Sequence, residues 1–257
     1  MIPVTVYKYK PIVLSKEENN GDIQFDTTKI KYILDIIQEH RLYCASLENL
    51  NDPFEASHLT IYGDGVAGAS LFASNGIIPP HTYKRFAKYR VLSLTVDAKS
   101  HLMWALYANN YCGVCIGFNT NCSLNRIRKI NYFNEDDGNT SCCANDPLFE
   151  YKIIDTFYKK LKCWENELEY RIVQQNQYLY FKQDEIKHLI IGYNVPEIYK
   201  KELTKICRKQ NIPVFIAMPN KIKKQIFIKI LTISQFMMVP KLNLIFRYFH
   251  LNIFGNR

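Results

Sequence analysis

Three glutamates and an arginine occupy alternate positions of one short segment, Cys163-Trp164-Glu165-Asn166-Glu167-Leu168-Glu169-Tyr170-Arg171-Ile172-Val173. Read as a strand, its side chains alternate between two faces. Glu165, Glu167, Glu169 and Arg171 then share one face, and Trp164, Leu168, Tyr170 and Ile172 the other. Same-face neighbours have Cα atoms roughly 6–7 Å apart. Carboxylates that close disfavour each other's ionisation, whereas the following guanidinium favours it. Such a segment can hold one acid and one anion side by side, as proton transfer and the stabilisation of a positive transition state require. The plainer reading is a strand with one solvated face.

The elements around this segment follow from periodicity and punctuation. Val4 to Lys10 is β-branched and aromatic and predicts an opening strand. Thr27 or Thr28 can cap a helix running to about Glu39, with Ile30, Ile33, Leu34 and Ile37 at helical spacing. Arg41–Ala45, Arg90–Val96, Gly113–Phe118, Ile130–Phe133, Ile186–Ile191 and Pro213–Met218 read as strands. Ser100 to Ala108 reads as a short helix capped by Ser100, followed by a turn at Asn109-Asn110. Pro147 to Leu161 carries Leu148, Ile153, Phe157 and Leu161 as a helical stripe, and Val195-Pro196 opens a helix to about Arg208. Residues 59–88 contain Gly, Ala, Ser and Pro79-Pro80 and read as a variable excursion. The pattern implies one α+β domain over residues 1–218, with a mixed or split central sheet and flanking helices, then an extension over 219–257.

Bulk properties narrow the classes. With 257 residues, of which 47% are hydrophobic and 14% aromatic, the chain can bury a substantial core. The formal charge is +9, yet Leu203 to Arg257 holds ten Lys and Arg and no acid, so the rest is close to neutral. A basic tail of this kind allows nucleic-acid contact through residues 219–257, with protein or nucleic acid as possible acceptors, but it does not describe the main site. The eight cysteines sit in a chain too long for a disulfide scaffold, and Met1 to Lys10 lacks an apolar leader. Free thiols and a cytoplasmic location are expected. Cys112 and Cys115 have CxxC spacing, but adjacent Cys142-Cys143 is a poor second pair and Cys115 lies in an apolar run, so no metal site is expected. The apolar runs near the end fall short of the roughly 20 residues of a membrane span. GxGxxG, GxxxxGK[ST] and GxSxG are all absent.

Several segments together resemble the bacterial DUF2971 proteins, a family of unknown function. They are Val6-Tyr7-Lys8-Tyr9-Lys10, Leu42-Tyr43-Cys44-Ala45-Ser46, Asn51-Asp52-Pro53-Phe54-Glu55, Leu102 to Ala108, Gly113 to Phe118, and Trp164 followed by Glu167-Leu168-Glu169-Tyr170-Arg171. The order matches over roughly residues 5 to 218. Leu106 stands where the family often carries His, and Lys10 where its first motif commonly ends in Arg. Residues 219–257 lie beyond the resemblance, as a native extension or a frame-altered end. The motif order is also similar to that of ADP-ribosyltransferases, which split NAD between two half-sheets, so this likeness implies an ADP-ribosyltransferase or NAD glycohydrolase of defence or toxin type.

On that resemblance Glu169 would stabilise the oxocarbenium-like cation and hold the ribose, and Glu167 would orient or deprotonate the acceptor. Tyr107, Tyr7 and Tyr9 would sandwich nicotinamide, Lys8 or Lys10 would meet the pyrophosphate, Ser46 would bond the ribose, and Arg171 would complete the set. Two other functions remain open on the residues: a non-enzymatic binding module using the basic tail, and a nuclease using Glu165, Glu167 and Asp52 with a divalent metal.

Overall fold

The computed structural model describes residues 2–14, 24–56, 59–62, 80–134, 140–143 and 146–230. The chain opens with β1 (Thr5–Pro11), α1 (Lys31–Ile37), β2 (Arg41–Tyr43), β3 (Leu59–Tyr62), α2 (Pro80–Ala87), β4 (Arg90–Thr95), α3 (His101–Tyr107) and β5 (Gly113–Asn119). It continues through β6 (Arg128–Lys129), β7 (Asn131–Phe133), β8 (Thr140–Cys143), α4 (Phe149–Thr156), β9 (Lys159–Leu161), β10 (Glu169–Gln174) and β11 (Tyr178–Tyr180). It closes with β12 (Ile186–Gly192), α5 (Glu197–Lys209), β13 (Val214–Asn220) and β14 (Gln225–Ile230). The expected α+β class is what forms. Eight strands make one mixed sheet in the order β14-β13-β12-β5-β1-β4-β10-β6, with β12 and β13 parallel and the other neighbours antiparallel.

Alternation along the central strands sorts the core into two layers. Val6, Leu92, Leu94, Val114, Ile116, Ile172, Leu189 and Ile191 face one way and pack with Ile33 and Ile37 of α1 and Leu203 and Cys207 of α5. Tyr9, Cys115, Ile190 and Ala217 face the other way, against Met103 and Trp104 of α3. Beside them, Val91 packs with Phe86, Phe149, Ile153 and Phe157 under α2 and α4. A sheet covered on both faces explains why Gly113 to Phe118 reads as a continuous apolar run.

The middle of the sheet is split. β1 pairs with β5 along its whole length, from Thr5↔Asn119 to Pro11↔Gly113. β4 pairs with β10 from Glu169↔Thr95 to Gln174↔Arg90. Between them, β1 and β4 meet at one pair, Tyr7↔Thr95, and then diverge. At the far end of β4, Val91 exchanges both backbone bonds with Ala45, just past β2, at 2.8 Å each. The inward edges of β1 and β4 between these points border an open wedge.

Local chemistry accounts for several boundaries. Ser100 caps α3 as expected, its Oγ accepting from Met103 N at 3.3 Å. The first helical turn is a 3-10 segment, Thr27–Ile30, and its cap is Asp26, which accepts from Thr28 N at 2.8 Å, in place of either threonine. The helix expected to reach Leu161 ends at Thr156, because Lys159–Leu161 is drawn into strand pairing with Asn131–Phe133. Between α3 and β5, Asn109, Asn110 and Tyr111 are all left-handed, at φ 46°, 52° and 66°. Gly192 accepts this turn, since a Cβ there would stand 2.0 Å from Tyr111 O. The expected boundary at residue 218 falls inside β13, and the acid-free stretch beyond it continues through β14 on the sheet edge. The remainder of that extension, residues 231–257, lies outside the described residues.

Candidate functional site

The acidic segment is not one strand. Lys162–Glu167 forms a 3-10 turn, Leu168 adopts a left-handed conformation at φ 47°, and only Glu169–Gln174 joins the sheet. The two-residue alternation therefore fails upstream of Glu169, and Glu165 is exposed, away from the others. The left-handed step at Leu168 nevertheless turns Glu167 inward. Glu167 and Glu169 are 3% and 4% exposed, and their carboxylates converge on one ammonium: Lys160 Nζ donates to Glu167 Oε2 at 2.6 Å and to Glu169 Oε2 at 3.2 Å. Lys160, on β9, is itself buried.

The network extends in both directions. Tyr107, at the end of α3, donates its hydroxyl to Glu167 Oε1 at 2.5 Å. Thr95 Oγ1 donates to Glu167 O at 2.7 Å, and Tyr132 Oη accepts from Glu169 N at 2.9 Å. Arg171 grips Glu169 with Nε at 2.6 Å and Nη2 at 3.0 Å. On its other side it holds both oxygens of Glu55 and donates to Phe157 O at 2.8 Å. Three buried carboxylates thus share two buried cations. Burial opposes ionisation of Glu169, but Arg171 and Lys160 outweigh it and hold the carboxyl down at about 2. Burial pushes Glu55 up despite Arg171. Lys160 is raised: burial works against its charge, and Glu169 and Glu167 overcome it.

These groups form one wall of a cavity of about 370 Å³ in the wedge between β1 and β4, within the usual range for small-molecule sites. Ser93 and Thr95 of β4, Asn51 of the loop after β2, and Tyr43 contribute to its lining. From β1, Tyr7 shares the face of Glu169, while Lys8 and Lys10 leave the opposite face on the α1 side. Lys8 Nζ reaches across the split to Ser93 O at 2.7 Å, in the gap where the ladder has opened. Burial, and then repulsion from Lys10, lowers Lys8 to about 7. Burial also lowers Lys10, whose ammonium lies 5.5 Å from the centre of the Tyr32 ring.

Of the residues expected at the site, Glu167, Glu169, Lys8, Tyr7, Tyr9, Tyr107 and Arg171 line this cavity. Two of them, Tyr9 and Arg171, play other parts than expected, and Ser46 stands apart. Tyr9 is 5% exposed, stands edge-on to Trp104 at 5.2 Å and donates to Asp97 O at 2.9 Å, so its ring is wall rather than platform. Arg171 is saturated by carboxylates and a carbonyl, and so positions other groups. Ser46 is not in the lining: it starts the 3-10 turn Leu47–Asn49 and accepts from Asn49 Nδ2 at 2.7 Å.

The carboxylate set proposed for a nuclease does not assemble. Neither Glu165 nor Asp52 lines the cavity, and Asp52 is buried, accepting from Phe54 N at 2.9 Å in its own turn. Among the described residues no group of three or more His, Cys, Asp or Glu is arranged to hold a metal ion. Sequence reasoning missed Lys160 and Glu55. Lys160 sits in a segment with helical spacing, and Glu55 follows a turn motif that explains itself locally. Both are ordinary surface residue types until burial reveals their partners.

No helix among the described residues is long and apolar enough to cross a membrane. No curated protein and no solved structure matches the chain. Residues 103–227, just under half of the chain, match a family described as "Protein of unknown function (DUF2971)". The match runs from α3 into β14 and includes Tyr107, Lys160, Glu167, Glu169 and Arg171, whereas β1 and β4 precede it. Over residues 103–227 the chain is similar to the DUF2971 family, in line with the resemblance that its motifs carry.

Proposed function

We propose that the wedge between β1 and β4 binds NAD as a substrate and breaks its nicotinamide–ribose bond, as an ADP-ribosyltransferase or an NAD glycohydrolase. The observation that carries this reading is the convergence of Glu167 and Glu169 on Lys160 in the wall of an open split between two half-sheets, beside Tyr7 and Tyr107. When the N-glycosidic bond breaks, its electron pair goes to the nicotinamide nitrogen and positive charge develops at the ribose. Glu169, held ionised at about 2, is a fixed anion for that charge. Glu167 is bonded to Tyr107 and Lys160, so it can accept the proton of a water or acceptor hydroxyl as the new C–O bond forms. Lys8 and Lys10, which leave β1 on the α1 side, supply ammonium donors for the diphosphate, and the negative charge of the diphosphate favours their protonated forms. Arg171 and Glu55 act through Glu169, fixing its orientation. The work fits a cytoplasmic effector of defence or toxin type that modifies a protein or nucleic-acid acceptor.

The test is release of free nicotinamide when the purified chain is incubated with NAD, with calorimetric NAD binding in parallel. Turnover that falls at least a hundredfold in Glu167→Gln, in a variant that still unfolds cooperatively, supports the assignment. No turnover together with no NAD binding removes it.

A further inference from the structure

The two-stranded ribbon of β2 and β11 has two unlike faces. Leu42 and Leu179 oppose each other and are buried in the main core. The register Tyr43↔Tyr178 and Arg41↔Tyr180 puts three tyrosines and one arginine together on the other face. These side chains are already arranged for stacking. Tyr43 and Tyr178 meet edge to face with ring centres 5.9 Å apart, and the Arg41 guanidinium lies 4.7 Å from the centre of the Tyr178 ring. Arg41 is oriented by Asp35, to which Nη2 donates at 2.6 Å, so its charge is compensated and its plane is fixed. Tyr180 is 66% exposed, and Arg41, Tyr43 and Tyr178 beside it are half-buried. The face is continuous with the cleft, because Tyr43 belongs to both.

We propose that this outward face of the β2–β11 ribbon is a stacking platform for the purine base of a nucleotide whose other end lies in the cleft. The inference rests on the NAD reading and deepens it, by assigning the adenine end to Tyr43, Tyr178, Tyr180 and Arg41. A flat base has two π-faces and little charge, which suits tyrosine rings and a guanidinium neutralised by Asp35.

The experiment is calorimetric binding of NAD, ADP-ribose, adenosine monophosphate and nicotinamide mononucleotide to the full chain and to Tyr178→Ala and Tyr180→Ala. Tyr180 is mostly exposed, so its truncation removes little packing, and thermal melts check the fold of both variants. The expected result is a roughly tenfold or greater loss of affinity for the three adenine-bearing ligands, and no change for nicotinamide mononucleotide, which has no adenine. Equal affinity of both variants and the parent chain for NAD overturns the platform while leaving the cleft reading in place. Adenosine monophosphate binding that depends on Tyr178, with neither NAD binding nor nicotinamide release, supports the platform and removes the NAD reading. No binding of any of the four overturns both.

Discussion

Replacing Lys160 with methionine tests whether the buried carboxylate network is held as described. Met keeps most of the volume and removes the one cation that both Glu167 and Glu169 touch. Glu169 is displaced from 4.5 to about 2, which corresponds to about 3 kcal/mol of stability at neutral pH. Arg171 retains part of that in the variant, and Glu167 keeps only its bond from Tyr107, an added loss of about 1–3 kcal/mol. The net cost is about 3 kcal/mol, at the low end for breaking a buried ion pair. In urea, at a slope of roughly 3 kcal/mol per molar, the midpoint should fall by about 1 M. The sign of the pH dependence is fixed. A carboxyl depressed in the folded state contributes stability above its unfolded value of about 4.5 and loses it as pH falls toward 2. The gap between parent and variant should therefore be full at pH 7.5 and narrower at pH 4. Adding Glu167→Gln should recover part of the loss, since it removes the orphaned charge. A Lys160→Met midpoint within about 0.2 M of the parent chain, or a gap of the same size at both pH values, refutes the reasoning.

Other outcomes follow from single positions. Leu168→Gly should raise the melting temperature by roughly 2–4 °C in a thermal scan, because relief of a left-handed β-carbon outweighs the added backbone entropy. Gly192→Ala should abolish cooperative unfolding or cost several kcal/mol, at least about 3, since its Cβ would collide with Tyr111 O and both groups are backbone-anchored. Lys8 binds its proton less tightly folded than unfolded, so the native state gains stability as pH rises from about 7 toward 10.5. In Lys8→Met that rise should flatten, as read from urea midpoints at pH 6.5 and 9.5.

Legibility in the sequence divides along a physical line. Strands covered on both faces, such as Gly113–Asn119 and Ile186–Gly192, announce themselves as apolar runs, and the Ser100 cap is a local rule acting locally. The strand alternation that pairs Glu167 with Glu169 in the sequence does not exist there. They meet because a 3-10 turn and the left-handed Leu168 bring them round, and no propensity marks a leucine for that conformation. Tyr9 lines the cavity but packs edge-on against Trp104, and Ser46 lies outside the lining, bonded to Asn49; such local partners leave no mark on residue type. Pattern does not mark Lys160 or Glu55: Lys160 meets Glu167 and Glu169 only through the irregular turn between them, and Glu55 is separated from Arg171 by 116 positions.

The single rung Tyr7↔Thr95 makes the two half-sheets a pair of plates joined at a pivot. Below it the backbone edges of β1 and β4 carry hydrogen-bonding groups with no ladder between them, and Lys8 to Ser93 is the side-chain tie that spans the gap. Displacement about such a pivot strains few bonds, so the aperture is the compliant coordinate of an otherwise cross-braced slab. A molecule that bonds both plates would set that aperture and stiffen the whole sheet, and the Lys8 tie would be the first link it replaced.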